Sequence, residues 1–331
     1  VEVLRPTLGY TLPFQTVCNY LGVWFRNLNS ATSEGGRSGH WFRFSAVVNP
    51  GLELQTDRPS PDLHYNAYPD QGQNGECEAG NEPYLPGIDL PTTLRATHDV
   101  EEAVAKASTV IVAVPSHAFR EKVKEMAPLI GPDTSVVHLT KGVEPDTLLR
   151  MSQLIADASG IESQRIGVVS GPNLAKEVAR GLPGATVVAC SDSARAGRLQ
   201  RLFHCATFRV YTNHDVCGGE IGGTTKNVIA IAAGIADGLG YGDNSKSALI
   251  TRGLFEITRL GSNLGASPIT FMGLAGIGDL VATCMSRQSR NRHVGEQLGL
   301  GRKLDEIVAE MNMVAEGVKS CRAITGLAER A

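Results

Sequence analysis

The chain predicts an α/β fold, a doubly wound parallel sheet followed by an all-helical domain, on three observations. Between Tyr84 and about Asn213, short β-branched runs alternate with helical patterns, as strand–helix–strand crossovers do. After Asn213 the strand signal stops and only helical periods remain. One of those helical stretches, 228–236, is apolar on every side, so it belongs inside a core of its own.

Taken in order, residues 1–80 do not share this grammar. They hold both tryptophans (Trp24 and Trp41) and polar, Gly-containing runs such as 30–39, and from 55 to 80 they have the composition of a loop or disordered segment. Gly35, Gly36 and Gly39 lie close together, but no alternating strand precedes them, so they read as a flexible loop. Strands are expected at 109–114, 135–139, 166–169, 185–190 and 208–211. Helices are expected between them at 99–106, 117–127, 146–158, 174–180 and 193–205, with Asp192 as N-cap of the last. The all-helical part comprises 217–236, 245–264, 268–272, 279–284, 289–298, 304–310 and 317–330. The glycine-rich stretch 238–244 follows no strand and reads as a helix break, not a phosphate cradle. Three segments result: an atypical one at 1–80, a sheet domain at 81–212, and a helical domain at 213–331.

Composition excludes several classes. A length of 331 residues allows two domains, and 42% hydrophobic with 20% charged residues is ordinary for a soluble globule. A net charge of −3 makes no case for nucleic acid or an anionic membrane surface. The seven cysteines form no Cys-x-x-Cys pair and read as reduced thiols of a cytoplasmic protein. The eight histidines lack metal-ligand spacing, so no metal site is expected. No run approaches the roughly 18 apolar residues of a membrane span. No basic-then-apolar leader opens the chain.

Chemistry concentrates around Lys226, which follows Gly222-Gly223-Thr224-Thr225 and precedes the oily stretch. An amine at the lip of a dry site loses its proton more readily and serves as a base near neutral pH. The plainer reading is a lysine snorkelling from a core helix. Three consecutive strands end in polar or Gly-Pro turns, Pro115-Ser116-His117, Thr140-Lys141-Gly142 and Ser170-Gly171-Pro172-Asn173. The carboxyl ends of parallel strands form the ligand crevice, which places Lys141, Gly171 and Asn173 along one rim. Asp279, among glycines and apolar residues, either caps the helix that follows or faces a site beside Lys226. A helix starting near Ser289 would offer N–H groups, a hydroxyl, an amide and a guanidinium fork, which together suit a phosphate. A solvated basic turn is the alternative there.

Tyr84-Leu85-Pro86-Gly87, Ala113-Val114-Pro115-Ser116, Thr140-Lys141-Gly142, Ser170-Gly171-Pro172, Gly222-Gly223-Thr224-Thr225-Lys226-Asn227, Gly278-Asp279-Leu280-Val281 and Ser289-Arg290-Asn291-Arg292 stand in one order along the chain. In that order and approximate spacing the set resembles bacterial-type NAD(P)-dependent glycerol-3-phosphate dehydrogenase over about residues 80–328. The resemblance implies a Rossmann-like dinucleotide-binding domain at 81–212, a helical substrate domain at 213–331, and NAD or NADP as cofactor. It implies that Lys226 accepts the C2 hydroxyl proton of sn-glycerol 3-phosphate. Lys141, Gly171, Asn173, Asp279, Ser289, Arg290 and Asn291 would hold the substrate; related sequences often carry Thr where Asn173 stands. Lys141, Ala175, Arg290, Val314 and Glu316 would touch the cofactor. A cytoplasmic homodimer that feeds glycerophospholipid synthesis is implied as well.

Two departures from the family pattern shape the expectation. Residues 1–80 lack the strand and Gly-x-Gly-x-x-Gly that open the family, and Ala331 falls inside a helical pattern that the family continues. The composition change near Gly80 is read as a frameshifted or mis-started 5′ region, so that 1–80 is non-native sequence. The rival to the enzyme is then an impaired remnant without a working dinucleotide site. Another β-hydroxyacid-type dehydrogenase would share the plan and the lysine, but the Ser289–Arg292 block suits a phosphate better than a carboxylate alone.

Overall fold

A computed structural model describes residues 88, 97, 99–311 and 315–330. The expectations for residues 1–80, and for Val314, lie outside the described residues.

The first unit is a five-stranded sheet in sequential order, β1 (Thr109–Val112), β2 (Ser135–His138), β3 (Ile166–Ser170), β4 (Gly184–Cys190) and β5 (Phe208–Asn213). Its strands are rich in Val, Ile and Thr, the residues that fit a pleated, covered surface. Alternation sends Val110, Val112, Val136 and Ile166 to one face, under α1 (Val100–Val104), α2 (Phe119–Met126) and α3 (Met151–Ser159). Ile111, Val137, Val169 and Val188 point to the other, under α4 (Ala175–Ala179) and α5 (Ser193–Phe203). Asp192 caps α5, accepting from the Arg195 N–H at 2.7 Å.

The sheet differs from a uniformly parallel one at a single pairing. β1–β2, β2–β3 and β4–β5 are parallel, whereas β3 and β4 are antiparallel, with Ser170 opposite Val187. The turn at Gly171-Pro172-Asn173 and the short α4 return the chain beside β3 without a full crossover, so β4 runs back along it. The carboxyl end of β3 therefore meets the start of β4.

A second difference lies at 146–150, expected as helix. There Glu144 is held by Arg120, Nε to Oε1 at 2.6 Å, and takes a short hydrogen bond from Thr147 Oγ1. Thr147 Oγ1 also accepts from the Leu149 N–H at 3.2 Å, and Leu148 adopts φ 59°. These side-chain bonds compete with the first helical turn, and α3 begins only at Met151.

The helical unit follows with α6 (Val216–Gly238), α7 (Asp243–Asn263), α8 (Pro268–Phe271), a π-helical turn at Leu274–Gly278, α9 (Asp279–Met285), α10 (Arg290–Gly299), α11 (Leu304–Glu310) and α12 (Glu316–Arg330). Ile221, Ala230, Ala233, Ile250, Ile257, Phe271 and Leu280 form its main core around α6. The run 218–227 of α6 is buried without a break, more completely than the oily half that follows it. Small residues allow this, because the sheet and the π turn approach its backbone closely. Among the described residues no helix is long and apolar enough to cross a membrane.

Candidate active site

One cavity of about 380 Å³ opens where the carboxyl ends of β2 and β3 face α6, α9, α10 and the start of α12. Its size lies within the range of small-ligand sites.

The sequence sets each wall locally. After β2, the Thr140 hydroxyl donates to the Val114 carbonyl at 2.6 Å, tying the loop beyond β2 to the end of β1. This fixes Lys141 at the rim. After β3, Gly171 takes φ +146°, and a Cβ there would lie 3.1 Å from Thr186 Cα on β4. Glycine is needed for both reasons. The same approach lets the Thr186 hydroxyl donate to the Ser170 carbonyl at 3.1 Å while accepting from Asn173 Nδ2 at 3.1 Å. Asn173 is thereby turned along the cavity wall, with Ala175 at the start of α4 beside it. Gly171 itself shapes the turn behind the wall rather than lining it.

Lys226 rises from the buried half of α6 toward Asp279, the first residue of α9. Its Nζ donates to Asp279 Oδ1 in a short bond and to Thr283 Oγ1 at 2.8 Å. Lys141 Nζ donates to the other carboxylate oxygen at 2.7 Å. Asp279 makes no capping bond to its own helix, so of the two readings the sequence leaves open, its carboxylate faces the amines. Burial lowers the Lys226 ammonium from 10.5 to about 7; the Asp279 carboxylate opposes this and the Lys141 charge adds to it. Burial pushes Asp279 up, but the two ammonium groups outweigh it and hold the carboxyl below its usual range.

On the opposite wall Ser289 caps α10, its hydroxyl accepting from the Arg292 N–H at 3.2 Å. Arg290 and Asn291 face the cavity. Asn291 Oδ1 accepts from the Gly317 N–H at 2.9 Å, which holds the start of α12, and with it Glu316, against this wall. Burial raises the Glu316 carboxyl, against the pull of Arg290, Lys141 and Lys226. Arg292 turns away from the cavity: its Nε and Nη2 bind Asp237 at 2.8 and 2.6 Å, and Lys246 completes that cluster at 2.5 Å.

Of the residues singled out from sequence, the cavity gathers Lys226, Lys141, Asn173, Asp279, Ser289, Arg290, Asn291, Ala175 and Glu316. Thr283 escaped the sequence reading, although it stands one helical turn after Asp279 and so on the same face. Asn227 and His293 were also missed. Both sit next to or near motif residues, but their side-chain directions follow from helix packing that the sequence does not spell out.

Comparison with known proteins places these features in a family. Residues 66–196 match the family model described as the NAD-dependent glycerol-3-phosphate dehydrogenase N-terminus, and residues 215–331 match that of its C-terminus. The first match reaches back into the segment read as atypical. A protein of Streptomyces avermitilis named glycerol-3-phosphate dehydrogenase [NAD(P)+] is 53% identical over 250 residues, covering 76% of this chain and 74% of the relative. A Sphingopyxis alaskensis protein of the same name is 52% identical over 260 residues, covering 78% and 77%. The crystal structure of the Coxiella burnetii glycerol-3-phosphate dehydrogenase superposes with TM-score 0.72 at 40% identity, covering 76% of each chain. The Saccharomyces cerevisiae glycerol-3-phosphate dehydrogenase structure gives TM-score 0.66 at 29% identity, covering 74% of this chain and 73% of that one. With a sheet-and-helix plan of that kind and a lysine–aspartate–lysine cluster at its crevice, the chain belongs to the NAD-dependent glycerol-3-phosphate dehydrogenase family.

Proposed function

We propose that the chain interconverts sn-glycerol 3-phosphate and dihydroxyacetone phosphate with NAD(P), through a dinucleotide domain at 81–212 and a substrate domain at 213–331. The observation that carries the reading is the buried Lys226 amine, poised near neutral pH and bonded to Asp279 at a cavity of family character.

The described residues fit the nicotinamide end of the cofactor. Lys141 and Ala175 line one side of the cavity and Arg290 and Glu316 the other, and the buried Ser170 Oγ and Asn173 Oδ1 on the first side have no protein partner. The bound nicotinamide supplies a hydride acceptor or donor. In the oxidative direction neutral Lys226 takes the C2 hydroxyl proton as hydride leaves that carbon; in reduction its ammonium returns the proton to the carbonyl oxygen. Asp279 orients the amine, and Lys141 places a second positive charge beside the C2 oxygen, favouring the charge that builds there. Ser289, Arg290 and Asn291 hold the phosphate, with Arg290 offering a fork that a lysine lacks. Fixing the phosphate at one wall and the amine at another decides which carbon meets the ring. Gly171 keeps the β3 turn close to β4 and so keeps Asn173 on the substrate.

In the cell the product of reduction feeds glycerophospholipid synthesis. A cytoplasmic location is supported by five free cysteines among the described residues. A homodimer is supported by exposed Ile269, Met272, Val281 and Met285 on neighbouring elements of the helical unit. Light scattering on the purified chain distinguishes dimer from monomer.

The test of the reading is nicotinamide absorbance with dihydroxyacetone phosphate and either reduced cofactor. The wild-type chain should consume cofactor only with substrate present, and Lys226→Ala should lose about 10²-fold or more of kcat. Equal turnover by the two proteins refutes it.

A further inference from the structure

Glu220 is a carboxylate that the reaction above leaves unused, and only 1% of its side chain is exposed. Its two oxygens take three donors from the start of α3, and His138 at the end of β2 lies beside them. The Ser152 N–H reaches Oε1 at 2.7 Å and the Ser152 hydroxyl reaches Oε2 at 2.7 Å. Arg150 Nη1 makes a short bond to Oε2, and His138 Nε2 lies 3.1 Å from Oε1. Burial pushes this carboxyl up, and the His138 and Arg150 contacts outweigh it, so Glu220 stays ionised.

We propose that Glu220 is a positioning residue, whose clamp on the end of β2 and the start of α3 sets where Lys226 meets Lys141 and Asp279. His138 is the last residue of β2 and stands three residues before Lys141. Glu220 stands six residues before Lys226 on one continuous helix, about 9 Å along its axis. The clamp thus joins the two elements that carry the two amines. Its neighbours on α6 are Gly218, Gly219, Gly222 and Gly223, which have no side chains to interlock with the sheet and resist sliding. Directional bonds to a buried charge supply that registry instead. The Phe119 ring, edge-on to His138 at 6.1 Å, holds the imidazole in place from behind.

The inference rests on Lys226 as the proton acceptor, and the experiment keeps the two apart. Glu220→Gln preserves size but loses the charge and part of the acceptor capacity. At 25 °C its kcat for sn-glycerol 3-phosphate should fall about tenfold, with KM and nicotinamide affinity within about threefold of wild type. The kcat limb set by Lys226, which Asp279, Lys141 and Thr283 surround, should move by about half a unit or more. A lowered melting temperature with wild-type kcat and limb overturns the proposal, since the clamp would then only stabilise. Should Glu220→Gln fail to fold, Ser152→Ala removes one donor and leaves the charge in place. Its kcat should fall about threefold at constant KM, and a wild-type kcat overturns the proposal equally. Lys226→Ala, assayed alongside, separates the failures. If it is inactive while Glu220→Gln is wild-type, only the clamp falls; if it is fully active, the proton reading and the clamp fall together.

Discussion

Lys226 and Asp279, 53 residues apart in sequence, join amine to carboxylate at the heart of the cavity. Lys141 holds the other oxygen of the same carboxylate at 2.7 Å. One negative charge thus serves two amines, Lys226 buried and Lys141 at the rim. Burial makes the Lys226 proton labile, and the Lys141 charge at the rim adds to that.

Asp279→Asn removes the only charge bonded to both amines among the contacts described. Without that carboxylate, burial and the Lys141 charge hold the Lys226 amine still further toward its neutral form. The variant should lose about 10²-fold in kcat, because Lys226 is neither oriented nor balanced. Breaking a buried ion pair from one side costs about 3–5 kcal/mol, which denaturant unfolding at pH 7 should register. Since Asp279 is held below its ordinary range, that loss should shrink as pH falls through the carboxylate range, where wild type gives up the same contribution.

Lys226 has the opposite sign of linkage. Its folded value of about 7 lies below the ordinary 10.5, so between those limits the unfolded chain keeps a proton that the folded chain has released. Stability should therefore rise with pH across that window. Lys226→Met removes the group, and the difference in melting temperature between wild type and variant should grow in favour of wild type as pH rises from 7 to 10. The same titration should appear in catalysis: kcat/KM for oxidation climbs with pH through a limb near 7 and flattens above it.

Arg290 tests the phosphate wall. Arg290→Lys keeps the charge but loses the fork, so KM for sn-glycerol 3-phosphate should rise about tenfold, with a smaller change in kcat. Inorganic phosphate should compete with substrate in the wild type and far more weakly in the variant. Arg292→Lys, whose side chain serves the Asp237 cluster instead, should leave KM unchanged and show its effect in stability.

Much of this arrangement is legible in the sequence. β-Branched runs closed by Thr140-Lys141-Gly142 and Ser170-Gly171-Pro172 marked the strand ends, because such turns follow from chain stereochemistry alone. The motif set carried Lys226, Asp279 and Arg290 to one site on resemblance. Strand direction was not legible, since alternation at β4 reads the same either way. Nor was the helix at 146–150 that Thr147 and Glu144 undo, as the pairing partner Arg120 lies 24 residues from Glu144. Thr283 and the three donors on Glu220 depend on which helix faces pack, and that is settled only by tertiary contact.

Gly222 offers a prediction in which helix propensity and packing disagree. It lies one turn before Lys226 on α6, where an alanine would ordinarily favour the helix by about 1 kcal/mol. A Cβ at this position would lie 2.4 Å from the Ala275 carbonyl oxygen of the π-helical turn. The obstacle is backbone, so relief requires moving the turn that delivers Asp279. Gly222→Ala should destabilise the fold by about 1–3 kcal/mol and lower kcat as well, because Asp279 shifts away from Lys226. Gly197 on α5 is the control: a Cβ there meets only the flexible end of Arg201, at 3.7 Å. Gly197→Ala should gain about 0.5–1 kcal/mol and leave kcat alone. Denaturant midpoints and turnover on the two variants should therefore move in opposite directions in stability, with only Gly222→Ala losing activity. Equal gains from both would mean that the close approach of α6 to the π turn is slack, and that Asp279 is placed by its ion pairs alone.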